Sequence, residues 1–175
     1  MTLATHDFDS TTVVLADLTK LTAATLPPCE ALLERAKQAL SDRVSTGARI
    51  SGKALEADQY AAHGLAWLAT YVESLKQMQA WANALHLRGQ FGETEALLLQ
   101  IAFGEYLAQI SGGIPMSQSE ILRPTDLGLT QADLTAFHTG AVETLIAMGN
   151  TDAVRQRLVG LMIEQKGAST FGATG

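Results

Sequence analysis

The amino-acid sequence predicts an all-α protein, a helical bundle of about five to six helices with a central antiparallel pair. Apolar residues recur at helical spacing along most of the chain, and the alternation typical of strands is almost absent. A length of 175 residues favours one domain. We expect a frayed N-terminus at 1–10, a helical domain at 11–166 and a flexible, linker-like tail at 167–175. The tail is rich in Gly, Ala, Ser and Thr, which is typical of linkers.

Two helices are predicted before residue 45. Leu15, Leu18 and Leu21 indicate a first helix. We expect it to end before Pro27 and Pro28, because proline is poorly tolerated inside a helix. A second helix is predicted from about residue 28 to about residue 44, since proline is accepted at a helix start. Its inward-facing residues are expected to be Leu32, Leu33, Ala36 and Leu40.

The third helix carries the clearest pattern. Its apolar positions step by four and three residues alternately, which keeps one face turned toward a partner helix. These positions are Gly64, Leu68, Tyr71, Leu75, Met78, Ala82 and Leu85. Gly89 and Gly92 mark the following turn, and a fourth helix is predicted to run to about Ser111. A connection this short predicts an antiparallel helical hairpin.

Gly104 is the most informative small residue of the fourth helix. It follows Ile101 by three residues and precedes Ala108 by four. A missing side chain lets two backbones approach closely, and residues at this spacing share a helix face. We therefore predict that Gly104 marks the close contact between the third and fourth helices.

Two more helices are predicted near the end of the chain. Thr130, with Asp133 three residues later, resembles a capping box, although Asp replaces the usual Glu or Gln. This helix is expected to end at Gly149–Asn150, and Thr151 or Asp152 to cap a last helix. The inward-facing residues of the first of the two are expected to be Leu134, Phe137, Ala141, Leu145 and Met148.

Composition and charge argue against several classes of partner. A net charge of -6 and the lack of a basic cluster argue against nucleic acid, whose phosphates require Lys and Arg. No apolar run approaches the ~20 residues that a membrane helix needs. The first ten residues, MTLATHDFDS, lack the features of a signal peptide. We expect a cytoplasmic protein without a membrane or nucleic-acid partner.

Motifs for catalysis and metal binding are missing from the sequence. It contains no G-x-G-x-x-G, Walker, G-x-S-x-G or H-E-x-x-H pattern, so no catalytic residue is assigned. No metal site is expected, since the single Cys29 cannot form a multi-cysteine site. The four histidines, His6, His63, His86 and His138, also show no metal-ligand spacing. Cys29 follows a predicted helix start, where a thiolate is favoured, but a half-buried structural cysteine is the alternative.

Glu105 and His63 are candidate buried polar residues. Glu105 is a single carboxylate in the middle of a mostly apolar helix, a setting that suits general acid–base chemistry. The alternative is a structural role, in which Glu105 pairs with His63 or Tyr71. His63 itself, between Tyr60 and Trp67, is interpreted as either a core or rim residue or a catalytic base. We predict a structural role for Glu105.

Two further features are open to a binding interpretation. The loop after the fourth helix is the candidate contact surface, through Gly112, Gly113, Ser117, Gln118 and Arg123. Its glycines permit unusual backbone conformations, its polar side chains donate hydrogen bonds, and the arginine can bind a phosphate or carboxylate. The alternative is a loop that packs on its own domain.

Aromatic residues on the third helix form the other feature. Trp67, Tyr71 and Trp81 are compatible with a flavin or acyl pocket. At helical spacing, however, they are also compatible with an ordinary core stripe.

Two stretches of the sequence carry a family resemblance: residues 61–78, reading AAHGLAWLATYVESLKQM, and residues 90–124, reading QFGETEALLLQIAFGEYLAQISGGIPMSQSEILRP. They resemble the helical extension that precedes the catalytic core in methylsuccinyl-CoA dehydrogenases, a branch of the acyl-CoA dehydrogenase family. The resemblance runs from about Ala54 to about Gly167. It implies an N-terminal helical extension of a flavin-dependent parent enzyme.

This resemblance limits what the chain itself is expected to do. It implies that FAD belongs to the parent enzyme and that this chain holds no cofactor. Its partner would be the catalytic acyl-CoA dehydrogenase core or further copies in a homo-oligomer. The family's base-bearing helix and flavin-contacting segments have no counterpart in the sequence, so no family catalytic residue is placed here. The alternatives are a stand-alone helical binding module that uses the Gly112–Arg123 loop, and a small helical enzyme that uses Glu105 and His63.

Overall fold

The computed structural model describes residues 13–47 and 49–166, and within them helices account for most of the chain. The helices are α1 (Leu18–Val44), α2 (Gly52–Ala57), α3 (Gln59–Leu87), α4 (Glu93–Gly112), α5 (Gln131–Phe137), α6 (Gly140–Met148) and α7 (Asp152–Glu164), with a 3₁₀ helix at Pro124–Leu127. Two short antiparallel ribbons pair β1 (Ser45–Thr46) with β2 (Arg49–Ile50) and β3 (Ile114–Pro115) with β4 (Ile121–Leu122). The predicted all-α class is confirmed. The predictions for 1–10 and 167–175 lie outside the described residues.

Helix α4 lies at the centre of the bundle. It packs against α3 on one side and against α6 and α7 on others, while α3 also packs along α1. Tyr71 of α3 contacts Tyr106 and Gln109, whereas Trp81, ten residues later, lies near Ala102. The order along the two helices is therefore reversed, as the predicted antiparallel pair requires. The shared core consists of fully buried side chains such as Leu75, Leu99, Phe103, Leu107 and Leu145.

The prediction that Pro27 and Pro28 separate two helices is wrong. Both prolines lie inside α1, which continues for 27 residues. One face of α1 is buried on both sides of the prolines, at Thr25 and at Cys29, each with 0% exposure. Proline inside a helix costs ~3 kcal/mol because it removes a hydrogen bond and crowds the preceding turn. Burial of a continuous face against α3 outweighs that local preference.

The capping box predicted at the start of α5 is confirmed. Thr130 Oγ1 accepts a hydrogen bond from the Asp133 amide at 3.2 Å, and Asp133 Oδ2 accepts one from the Thr130 amide at 2.8 Å. The helix is shorter than predicted, since it ends at Phe137. Thr139 then caps α6 by accepting a hydrogen bond from the Val142 amide. A threonine that offers a new cap ends one helix and starts another.

The end of the bundle differs from the sequence prediction at one position and agrees at another. Met148, expected to face inward, is 52% exposed, because the break before α6 rotates the pattern so that Val142 and Leu145 face the core. Thr151 caps α7 as predicted, by accepting a hydrogen bond from the Val154 amide.

Gly104 marks a close helix contact, but not the predicted one. A Cβ atom on Gly104 would lie 2.9 Å from the Cα atom of Gly149 and 2.9 Å from the Asn150 nitrogen. The contact therefore joins α4 to the end of α6 rather than to α3. On α3 the residue without a side chain is Gly64, which makes room for the Leu122 side chain of β4.

Gln100 holds the start of the described chain against α4. Its side chain is fully buried, accepts a hydrogen bond from the Leu15 amide at 2.8 Å and donates one to the Val13 carbonyl at 3.1 Å. An amide side chain has both a donor and an acceptor, so it pairs with the backbone as a neighbouring strand would. No helix within residues 13–47 and 49–166 is long and apolar enough to cross a membrane.

Candidate functional site

The Gly112–Arg123 loop is a β-hairpin whose strands are anchored in the core. Ile114 and Leu122 pair across the hairpin and are each 2% exposed. At the tip, Ser117 Oγ donates to Glu120 Oε2 at 3.1 Å, and the tip side chains, including Gln118, are exposed. The loop thus packs on its own domain through its strands and exposes its tip. The role of the tip as a contact surface stays a prediction.

Gly113 and Arg123 have structural tasks at the two ends of the hairpin. Gly113 has a φ of 146°, and a Cβ atom there would lie 2.6 Å from Ile121 Cγ2, so the turn out of α4 requires glycine. The Arg123 amide donates to Asp126 Oδ2 at 2.7 Å, which starts the 3₁₀ helix. Gly112 is exposed at the end of α4 with open space around it. Arg123, with Ile114 and Leu122, also lines a small apolar cavity where the hairpin meets the core.

The prediction that Glu105 and His63 are buried polar residues is wrong within this chain, because both side chains are exposed. Leu97, Phe103 and Leu107 point into the core and leave Glu105 on the outer side of α4. The structure gives the two residues different partners. Glu105 accepts hydrogen bonds from amide side chains, whereas His63 Nε2 accepts one from Trp67 Nε1 at 2.7 Å.

Glu105 lies in the middle of a chain of side-chain hydrogen bonds. Tyr71 donates to Gln109 Oε1 at 2.5 Å, and Gln109 Nε2 donates to Glu105 Oε1 at 2.5 Å. Asn150 Nδ2 donates to Glu105 Oε2 at 2.7 Å, and Asn150 Oδ1 accepts a hydrogen bond from Arg155 at 2.9 Å. Burial, followed by the neighbouring Tyr106 and Glu105, raises the pKa of Tyr71, so its phenol stays a donor at neutral pH. This series of hydrogen bonds connects α3, α4 and the corner before α7, which fits the predicted structural role of Glu105.

An open groove of about 400 Å³ runs between α3 and α4 beside this hydrogen-bond chain. It is lined by Ser74, Gln77, Met78, Trp81, Ala102 and Tyr106. Tyr71 is buried next to it and stacks on Tyr106, with 4.5 Å between ring centroids. Of the aromatic stripe on α3, Tyr71 is therefore core, while Trp67 and Trp81 are half-buried. The sequence did not indicate the α4 side of the groove. Ala102 and Tyr106 reach the α3 residues only because α3 and α4 pack side by side as an antiparallel pair.

Neither of the two larger grooves fits FAD. The cofactor carries a pyrophosphate, which proteins bind with cationic or backbone N–H donors. The α3–α4 groove is lined by no Lys or Arg. A second groove, between α1 and α3, contains Lys37 and Lys76, but these form ion pairs with Glu34 and Glu30. Neither groove therefore offers an unpaired cation to a flavin pyrophosphate.

A serine–histidine pair was not foreseen from the sequence. Ser111 Oγ lies 2.8 Å from His138 Nε2, and 27 residues separate the two along the chain. Within residues 13–47 and 49–166, no carboxylate orients the other ring nitrogen, as nucleophilic catalysis would require. The ring of His138 instead packs edge-on against Phe137. The pair fastens the junction of α5 and α6 to the end of α4.

Cys29 is a core residue rather than a reactive one. It has 0% exposure, and burial, followed by the charge of Glu30, raises the pKa of its thiol to about 12. The thiolate is the reactive form of cysteine, so this setting suppresses its chemistry. Among the described residues, no cluster of His, Cys, Asp or Glu side chains has the geometry to hold a metal ion.

The fold and these surfaces define an all-helical bundle with an apolar groove on one face. The sequence comparison adds a particular relative. Over 163 residues, 93% of its length, the chain is 57% identical to a (2S)-methylsuccinyl-CoA dehydrogenase from Cereibacter sphaeroides, so the resemblance seen in the sequence is confirmed. The chain spans only 29% of the length of that protein. No protein-family model matches the chain.

Proposed function

We propose that this chain is a non-catalytic helical domain, an N-terminal extension, of a flavin-dependent acyl-CoA dehydrogenase that acts on methylsuccinyl-CoA. Its work is to pack on the catalytic core or to stabilise the oligomer. The observation that carries the proposal is the 57% identity over 163 residues to a dehydrogenase of that name. These residues are 29% of the relative, so roughly 400 residues have no counterpart here, enough for further domains.

The surface of the chain supports a docking role. Charged residues make up only 17% of the sequence, and Leu87, Val159 and Ile163 are more than half exposed. Apolar surface of this kind is common where a domain meets a partner. FAD is assigned to the remaining polypeptide of the parent enzyme, because neither the α1–α3 groove nor the α3–α4 groove offers its pyrophosphate an unpaired cation. A reducing, cytoplasmic setting fits the single buried cysteine.

A stand-alone binding module is the second candidate function. It is favoured by one observation, the exposed hairpin tip with Arg123 exposed beside it and in no ion pair among the described residues. Such a module would bind its ligand without any second polypeptide.

A chimera tests the proposal directly. The matching segment of the Cereibacter sphaeroides enzyme is replaced by this chain, and methylsuccinyl-CoA oxidation, flavin absorbance and oligomer size are measured. We expect the chimera to keep the activity and oligomer size of the parent, whereas deletion of the segment lowers stability or disrupts the oligomer. A folded, flavin-loaded chimera without activity would contradict the proposal. So would oxidation of methylsuccinyl-CoA by this chain alone with added FAD and an electron acceptor.

A further inference from the structure

The α3–α4 groove has the composition of a protein-binding surface. Met78, Trp81 and Tyr106 are half-buried and present apolar surface to a space of about 400 Å³. Trp and Tyr are enriched among the residues that dominate binding energy, and Met adapts its shape to a partner. Ser74 and Gln77 supply a polar edge. An open apolar groove of this kind is filled better by a protruding apolar segment of a partner than by a flat partner surface.

Glu105 adds a charge at the side of this groove. It lies three residues from Ala102 on α4 and next to Tyr106, both of which line the groove. Its two oxygens accept hydrogen bonds from Gln109 and Asn150, which are neutral amides. Glu105 forms no ion pair among the described residues, and Arg155 reaches only Asn150 and Asp152. The carboxylate is thus held in place with its charge unneutralised.

We propose that the α3–α4 groove is the docking site for a segment of the remaining dehydrogenase polypeptide. That segment inserts apolar side chains between the two helices and places a Lys or Arg against Glu105. This inference rests on the proposed function, and it identifies the surface and the chemistry of the partner. The roughly 400 unmatched residues of the relative supply the occupant, since a covalently joined partner acts at high effective concentration.

The charges around the groove disfavour other occupants. A nucleotide or coenzyme A would bring phosphates toward Glu105, while the groove lining offers no Lys or Arg to receive them. A second copy facing the groove with its own groove would bring another Glu105 and again no cation from that lining. Two concave surfaces also cannot fill each other. An apolar segment with a basic side chain satisfies both the shape and the charge.

Thiol labelling in the chimera tests whether the groove is covered. Gln77→Cys places a thiol on the exposed edge of the groove, and the native Cys29 is fully buried. A maleimide reagent is applied to the isolated chain and to the chimera, and labelling of this site is followed by peptide mass spectrometry. We expect labelling to be at least about tenfold slower in the chimera, because the thiol can react only when the docked segment transiently leaves the groove. The control, Glu143→Cys on the exposed face of α6, should be labelled equally in both.

The outcomes separate this inference from the proposed function. If the chimera is active but Gln77→Cys is labelled at the rate of the isolated chain, the docking site is wrong and the proposed function stands. If the isolated chain protects the thiol as its concentration rises, a second copy is the occupant. Protection of the isolated chain by coenzyme A or FAD would make it a nucleotide site. Each of the last two results overturns the proposal.

Two substitutions test the chemistry of the interface in the chimera. Ala102→Arg fills the groove with a cation, and Glu105→Arg reverses the charge that the partner meets. We expect both to restore fast labelling of Gln77→Cys. Since the proposed ion pair makes the protection weaker at high salt, Glu105→Gln should reduce the protection partly and make the remainder insensitive to salt. Ala23→Arg, at an exposed position of α1 outside the groove lining, is the matched control and should leave the protection unchanged. Protection that survives both arginine substitutions would refute the proposed contact.

Discussion

Gly104 and Gly149 meet backbone to backbone where α4 crosses the end of α6. A Cβ atom on either residue would lie 2.9 Å from the Cα atom of the other. A Cβ atom on Gly149 would also lie 2.9 Å from the Gln100 carbonyl oxygen. Since these neighbours are main-chain atoms, they cannot move aside as the end of a side chain can. The distance between the two helices is therefore set by the absence of two side chains.

Gly104→Ala is expected to lower the free energy of unfolding by about 1–3 kcal/mol, because the added methyl group overpacks this contact. Urea denaturation measures the change. The matched control is Gly160→Ala on α7, where nothing lies within 4 Å of the added Cβ atom. There the higher helix propensity of alanine should leave stability unchanged or raise it by up to ~1 kcal/mol. Equal losses in the two variants would show that the glycine contact is unimportant.

Gln100→Leu is expected to cost about 1–3 kcal/mol, because it leaves the Leu15 amide and the Val13 carbonyl without a partner at the edge of the core. The more specific readout is hydrogen exchange. The Leu15 amide should exchange much faster in the variant, while amides in the middle of α3 keep their protection. Gln118→Leu, at the exposed hairpin tip, is the control and should change neither property. Unaltered exchange at the Leu15 amide would argue against the anchoring of residues 13–15 by Gln100.

The buried thiol predicts a loss of stability at alkaline pH. The pKa of Cys29 is about 12 in the folded chain against an ordinary value of 9.0, so the unfolded chain releases this proton first. The contribution is complete below pH 9 and is lost as pH rises toward 12. Cys29→Ala should show a shallower decline of unfolding free energy between pH 9 and 11 than the unsubstituted chain. In the folded chain at pH 8, iodoacetamide should leave Cys29 unmodified, whereas rapid alkylation there would contradict its burial.

The capping box of α5 predicts a loss of stability in acid. Hydrogen bonds from the Thr130 hydroxyl and amide, with a smaller contribution from Arg35, lower the pKa of Asp133 to about 2 from an ordinary 3.8. Its contribution is present above pH 4 and is lost as pH falls toward 2. Asp133→Asn should remove part of this pH dependence, measured by denaturation at several pH values. Asp42→Asn, on the exposed side of α1, is the comparison, and a similar effect there would count against the cap.

Local signals in the sequence predicted the helices and their caps well. Thr130, Asp133 and Thr151 act within four residues of their partners, so a pattern of neighbours is enough to identify them. Pro27 and Pro28 misled because the local penalty of proline is offset by burial against α3, and that burial depends on residues far away in sequence. Local preference is a weak guide wherever tertiary contacts are extensive.

The candidate site was less predictable, for the same reason. Periodicity shows that α4 is apolar on most sides but not which side meets α3, α6 or α7. Glu105 was therefore expected inside and lies outside, and Gly104 was matched to the wrong helix. The pairing of Ser111 with His138 depends on the path of the chain through the hairpin and α5, for which the sequence carries no short-range signal.

The hydrogen bonds by which Gln100 holds residues 13–15 against α4 have a consequence for how this domain can be joined to others. Val13 and Val14 pack against a cluster that contains Val154 and Leu161 of α7, so the first and last described segments share one side of α4. A covalent link between these two segments would therefore not have to cross the core. Linking them and opening the chain at the exposed hairpin tip is a circular permutation that leaves every described helix intact.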